Sequence, residues 1–260
     1  MTYFPQTGAG SIAQFPVQRT RQWRWISNQM ESGEMIMLPD APASRIAWNL
    51  KYTDVTTAEA AKFSALFAAA QGQYGSFVFV DPIANLLAWS EDFTRPDWQP
   101  GLLQISTGAR DPLGTTRACA VVNPGQAEQS LTQTLNVPGD YVACLSVWVR
   151  SDSSTSFALT RDGLRSNFPL TPAWRRYSVS GAGLAGAPNS VFSVVIGAGQ
   201  SVQIFGPQVE AQPAASSYKQ TNTAAGIYPE TYFASDELPM TCTGPGLFGF
   251  EIDLISRAQS

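Results

Sequence analysis

The chain has 260 residues, a net charge of −4 and a pI near 4.9, a balance that argues against nucleic acid as partner, because phosphate binding needs concentrated Lys and Arg to release counterions. It contains no histidine, and its three cysteines, Cys119, Cys144 and Cys242, show no C-x-x-C spacing; His-based triads and the common His-containing zinc sites are excluded, and a disulfide framework is not expected. Charged residues make up 14% and hydrophobic residues 44%, with 21 Gly and 18 Pro, against about 25% charged in ordinary soluble domains. That composition predicts a mostly β chain of short strands and tight turns, packed within an assembly.

The first strand signal is FPVQRTRQWRWI at residues 15–26. If extended it places Arg19, Arg21, Trp23 and Trp25 on one face and Arg24 on the other. Neither face is purely apolar, so these five residues are candidates for a subunit interface, with a plain edge strand as the alternative. Glu34 to Leu38 predicts a second strand. Residues 44–53, SRIAWNLKYT, alternate Ile46, Trp48, Leu50 and Tyr52 against Arg45, Asn49 and Lys51, a period of two with one buried face. Thr56 and Glu59 form a capping box that starts a helix near Thr57, with Ala60, Phe63, Leu66, Phe67 and Ala70 on one stripe. Gly72 and Gly75 end it and lead into Phe77-Val78-Phe79-Val80, which Asp81-Pro82 stops.

Over residues 1–82 the capped Phe/Leu helix, the Gly-x-x-Gly turn, the F-x-F strand and the Asp-Pro stop resemble the ring-forming barrel domain of long-tailed phage distal tail and minor tail proteins. A generic domain with one helix on a sheet fits the same segment.

After Pro82 the composition turns to Ser, Thr and Gly with short alternating runs. Strands are predicted at 129–135, 141–150, 157–161, 174–180, 191–196 and 202–212, the pattern of a β-sandwich. The opening N-L-L-x-W-S-E-D-F, the middle T-P-A-W-R-R-Y-S-V-S-G and the close I-F-G-P-Q-V-E-A followed by Ser217-Tyr218 are similar to the jelly-roll modules, like carbohydrate-binding modules, of phage tail and tail-fibre proteins. The resemblance implies structural roles for Trp174, filling the core, and Gln208, hydrogen-bonding within the sandwich. Finally, Phe248, Phe250, Ile252 and Leu254 alternate in GPGLFGFEIDLIS. Forty residues cannot bury a core alone, so this tail must pack on something already present; the resemblance implies that it completes the first domain's barrel, with 237–243 as the preceding strand. The fold class expected is mostly β: a split β-barrel with one α-helix from 1–84 and 222–260, and an inserted jelly-roll β-sandwich at 85–221.

The adjacent carboxylates Glu91-Asp92 and Asp236-Glu237 point to opposite faces of a strand and cannot flank one bond. A calcium ion held by a more distant pair, such as Asp92 with Glu210, is the one metal option. Sugar binding needs an aromatic platform; Trp89, Trp98 and Tyr177 are the candidates, against the plainer reading that they fill the core. The start MTYFPQTGAG lacks a basic region and an apolar run, so a soluble chain without membrane insertion is expected. The resemblance implies a non-enzymatic structural virion protein of the tail tip or baseplate, made in the bacterial host cytoplasm. It would be a hexameric ring joining tail tube, tail hub and receptor-binding proteins, without a cofactor. The alternative is an adhesion protein whose jelly roll binds host surface glycan.

Overall fold

Ile46, Trp48, Leu50 and Tyr52 are each at most 8% exposed, and they lie on β4 (Arg45–Thr56), a long interior strand of the first sheet. In the computed structural model, which describes residues 2–40, 43–223 and 225–258, β4 pairs antiparallel with β1 (Gln18–Gln22) and with β17 (Leu247–Arg257). The register sets Tyr52, Leu50 and Trp48 opposite Phe250, Ile252 and Leu254, so both strands send their apolar face to one side. The sheet continues through β15 (Ile227–Phe233) to β5 (Phe77–Val80), and β16 (Met240–Gly244) pairs with the first half of β17.

The helix α1 (Thr57–Ala70) supplies the cover that this face requires. Thr56 caps it as the spacing predicts: the Glu59 N–H donates to Thr56 Oγ1 at 3.3 Å and the Thr56 N–H to Glu59 Oε2 at 2.8 Å, satisfying two otherwise unpaired donors. Hydrogen bonds from Thr56 and from the Gly8 N–H hold the Glu59 carboxyl below the usual glutamate range. Ala60, Phe63, Leu66 and Ala70 are buried, with Phe63 packed against Tyr52 at 4.8 Å and Phe250 at 5.1 Å. Phe67 is half-buried against Phe233 at 5.0 Å.

Two expectations are corrected here. The sheet is open: β1 and β5 are its ends among the described residues, and the segment Thr2 to Phe4 runs along β5 through the Phe4 N–H to Val78 O and Val78 N–H to Thr2 O bonds, both 2.9 Å. With α1 over the apolar face, burial does not depend on closing a barrel. The Trp/Arg run is also not one strand. It breaks at Trp23-Arg24, so Arg19 and Arg21 belong to β1, opposite Trp48 and Ile46. Trp25 instead opens β2 (Trp25–Gln29), which pairs only with β3 (Met35–Pro39) as a separate hairpin. Arg21 lies 4.6 Å from the Trp23 ring centroid, and Arg24 pairs with Asp40 at 3.4 Å.

The chain divides into two units, Met1–Gly8 with Ile12–Val80 and Ile227–Ser260, and Ala9–Ser11 with Asp81–Gly226. The second is a jelly-roll β-sandwich. Its four-stranded sheet runs β11 (Leu164–Pro169), β10 (Ser156–Arg161), β13 (Ser190–Ile196), β8 (Gln129–Leu135). Its five-stranded sheet runs β12 (Arg175–Ala182), β9 (Val142–Arg150), β14 (Ser201–Glu210), β7 (Ala118–Val122), β6 (Gln104–Ala109). Ala143, Leu145, Val147 and Val149 from β9 and Phe192, Val194 and Ile196 from β13 are each at most 2% exposed, the alternate positions that fill a sandwich core. Among the described residues no helix is long and apolar enough to cross a membrane.

Val80 and Ile227 are cross-strand partners in the first unit, so the chain leaves and re-enters at one point. Replacing residues 82–225 by a short Gly/Asn turn is therefore expected to leave a folded, soluble first unit. An insoluble product without native-like circular dichroism would show that the two units share one folding core.

Candidate functional site

The family-like motifs of the second unit turn out to be its seam. Asn85 accepts the N–H groups of Leu87 and Val209 at 3.1 and 3.0 Å and donates to Pro207 O and Lys219 O at 3.1 and 3.2 Å. Ser90 meets the Tyr218 hydroxyl at 2.8 Å and accepts the Thr221 N–H at 2.9 Å. Gln208, fully buried, accepts the Lys219 N–H at 2.7 Å and donates to Ser217 O at 3.3 Å, the structural role that the resemblance implies. Gly206 has φ +57, and a Cβ there would come within 2.8 Å of the Tyr218 ring. The opening and closing motifs thus tie one end of the insert to the other, which is a reason for their spacing that needs no ligand.

Glu91 takes the Tyr218 hydroxyl and an Arg117 N–H, both at 3.0 Å. Burial raises its pKa against the pull of those two donors. Asp92 pairs with Arg95 at 2.7 Å, and Asp236 accepts the Gln73 N–H at 3.0 Å. Glu91, Asp92 and Asp236 are therefore each engaged in a local tie. Among the described residues no group of three or more Cys, Asp or Glu side chains is placed to hold a metal ion.

The three aromatic candidates fall in three different places. Trp98 is 4% exposed, packs on Phe93 at 5.1 Å and donates its indole N–H to Trp89 O at 3.1 Å, so its ring offers no platform. Trp89 is half-buried with the Arg95 guanidinium 4.3 Å above its ring. Tyr177 lies against Phe157 at 5.1 Å and Phe168 at 5.2 Å, with its hydroxyl donating to Pro169 O at 2.7 Å. Of the three, Trp98 is a core ring, while Trp89 and Tyr177 are half-buried rings held by a guanidinium and by neighbouring aromatics.

Strand pairing builds a different surface on the outer face of the five-stranded sheet. Arg150 stands opposite Gln203, Gln203 opposite Ala120, and Ala120 opposite Ser106. Arg175 pairs with Val149, which puts the preceding residue, Trp174, beside Arg150, whose guanidinium lies 5.5 Å from the indole centroid. One row, across four strands and the residue preceding β12, therefore carries an indole, a guanidinium, an amide, a methyl and a hydroxyl, over roughly 19 Å at the usual strand spacing. Arg150 Nε donates to Gln203 Oε1 at 2.8 Å, which fixes both polar heads. Trp174 is half-buried and outside the core, a correction of the expectation that it fills the interior. The next row is self-covered: Arg176 sits 4.4 Å over Trp148 and donates to Ser146 Oγ at 2.8 Å and to Ser216 O.

No family model and no curated protein matches the sequence. Among solved structures, the enzymatically active domain of bacteriophage CBA120 tailspike protein 4 is 16% identical, over 51% of this chain and 22% of that chain, with TM-score 0.40. The carbohydrate-binding module TmCBM61, in complex with β-1,4-galactotriose, is 14% identical over 48% of this chain and 97% of that chain (TM-score 0.37). The CBM22-1 xylan-binding domain of Paenibacillus barcinonensis Xyn10C is 15% identical over 52% and 99% (TM-score 0.39). Likenesses at these values assign no ligand to this chain.

Proposed function

We propose that this is a non-catalytic adhesion protein of a phage tail, in which the second unit binds saccharide and the first unit holds it in the assembly. The observation that carries this reading is the row Trp174, Arg150, Gln203, Ala120, Ser106. An apolar ring face beside fixed donors and acceptors is what a sugar ring requires. Catalysis has little to work with: the chain has no histidine, and Glu91, Asp92 and Glu210 are held by hydrogen bonds or ion pairs. Affinity of one copy is expected to be weak, with avidity of about 10²–10⁴ from linked copies.

The test is a glycan array probed with the full chain, alongside Trp174→Ala and Trp98→Ala. Trp174→Ala is expected to abolish retention and leave the melting temperature nearly unchanged, because a half-buried indole at a strand end carries little packing. Trp98→Ala is expected to destabilise the unit by about 3–5 kcal/mol. Retention by Trp174→Ala equal to that of the parent chain, or no retention by a multimerised parent chain, would sink this reading.

A structural role at the tail tip, joining tail tube to receptor-binding apparatus as a ring, is the second reading. The exposed apolar hairpin of the first unit favours it.

A further inference from the structure

We propose that the saccharide taken by the outer-face row of the second unit is anionic, with a ring carboxylate seated on the Arg150 guanidinium, so that the site selects uronic-acid units over neutral hexoses. This inference rests on the saccharide reading above and narrows it to a substrate class. Arg150 is half-buried, and it makes no ion pair among the described residues. Carboxylates are not scarce in a chain with 20 Asp and Glu against 16 Lys and Arg. Those held in place around this sheet are committed elsewhere: Glu210 to Lys219 at 2.9 Å, Glu91 to Arg117 at 3.0 Å and Asp111 to Arg117 at 3.4 Å. Arg176, on the next row, also lacks an ion pair, but its donors are spent on Ser146 and Ser216 and its plane on Trp148. Arg150 is thus a partly desolvated charge without its counter-charge, a costly state that an incoming anion would relieve.

Donor chemistry points to the same ligand. Arg150 Nε donates to Gln203 Oε1 at 2.8 Å and Nη1 reaches Pro172 O at 3.5 Å, while Nη2 has no partner among the described residues. Because an Nε–H can only donate, the Gln203 amide must turn its oxygen to Arg150. Its NH2 group is left over as a donor, again without a partner among the described residues. Gln203 therefore spends its acceptor inside the row, and apart from the Ser106 hydroxyl, which can act either way, the polar groups left for a ligand are N–H donors. Neutral sugar hydroxyls call for acceptors as well as donors, whereas an ionised carboxylate only accepts. Its two coplanar oxygens also match the guanidinium fork, already fixed by Gln203. In a uronic acid the carboxylate is bonded directly to a ring carbon. The Trp174 indole, 5.5 Å from the guanidinium, lies where the apolar side of that same ring would follow its charge.

The experiment measures retention of the multimerised full chain on immobilised polygalacturonate, alginate and hyaluronan, each beside its carboxyl-reduced form, and on dextran sulfate, for the parent, Arg150→Gln and Arg150→Lys. The parent is expected to hold at least one polyuronate about tenfold more tightly than its reduced form, and that excess should shrink as salt is raised. Arg150→Gln should hold the two forms alike, since the change in protein and the change in ligand remove the same pair. Arg150→Lys, which keeps the charge without the fork, should retain only part of the excess, and it replaces the Gln variant should circular dichroism show that one unfolded. A parent that retains only neutral glycans, or holds reduced and unreduced forms equally, overturns the anionic assignment and leaves the saccharide reading standing. An excess that survives in Arg150→Gln overturns Arg150 as its source, and tighter retention on dextran sulfate than on any polyuronate overturns the carboxylate in favour of a sulfate ester. No retention on any of these surfaces overturns this inference together with the reading beneath it.

Discussion

Trp48→Ala is expected to destabilise the first unit by about 3–5 kcal/mol, the usual loss for a buried Trp or Phe cut to Ala. Trp48 is 1% exposed and lies 4.8 Å from the Phe79 ring and 4.7 Å from the Tyr228 ring. Across β17 it faces Leu254. The cavity would therefore open where β4, β5 and β15 meet, among side chains fixed by their own strands and little able to collapse inward. A second feature separates volume from polarity. The Trp48 indole N–H is buried without a hydrogen-bond partner among the described residues, a burden of about 1–3 kcal/mol. Trp48→Phe removes that donor while keeping most of the ring, so it is expected to cost at most about 1 kcal/mol, the relieved polar penalty offsetting the lost volume. Urea unfolding of the parent and the two variants measures both. Equal losses for Ala and Phe would show that the indole N–H has found a partner such as water and that the ring volume is not what matters.

Local pattern made some of this fold legible and left the rest dark for identifiable reasons. The period of two in residues 46–52 gave strand and buried face together, and the Thr56/Glu59 spacing gave the helix start, because both signals lie within one turn or one strand. By contrast β15 contains Pro229, which cannot donate to a ladder; the strand accommodates it at the register shift between Tyr228 and Thr231. In β6, Gln104, Ser106, Thr107 and Gly108 are exposed, so that edge strand has no apolar alternation to detect. The Trp/Arg run looked continuous because nothing in its composition marks the departure of the chain at Trp23-Arg24 into a separate hairpin. The outer-face row was hidden for a deeper reason: Arg150, Gln203, Ala120 and Ser106 come from four strands and Trp174 from the residue before a fifth, and their alignment depends on non-local register. Trp174 sits in a motif whose neighbours do face structure, so it was assigned to the core along with them. Its actual position follows only from the Arg175↔Val149 pairing.

Glu210→Ala is expected to cost the second unit about 3 kcal/mol, at the lower end of the range for breaking a buried ion pair, because Lys219 keeps 32% of its side chain in water. Glu210 itself is fully buried. It accepts the Lys219 ammonium and the Ser216 N–H, each at 2.9 Å, and the Ser216 hydroxyl. Burial alone would raise its pKa, but the hydrogen bonds from Ser216 and Lys219 outweigh it and hold the carboxyl below the ordinary glutamate value. The sign of the pH effect follows. A carboxylate whose pKa is lower folded than unfolded contributes stability that is fully present above the unfolded value, about 4.3. That contribution is lost as pH falls through the folded value. Glu210→Gln keeps an oxygen acceptor and cannot titrate, so the difference in stability between parent and Gln variant should be constant near neutrality and shrink on acidification below about pH 4.3. Other carboxylates with lowered values, Asp92 and Asp111 among them, titrate in both proteins and cancel in the difference. Hydrogen exchange of the β14 amides in the full chain reads the transition of this unit separately from the first. A difference that stays flat through the acid range would mean that Glu210 folds with the same proton affinity it has unfolded, and that Ser216 and Lys219 do not hold its charge.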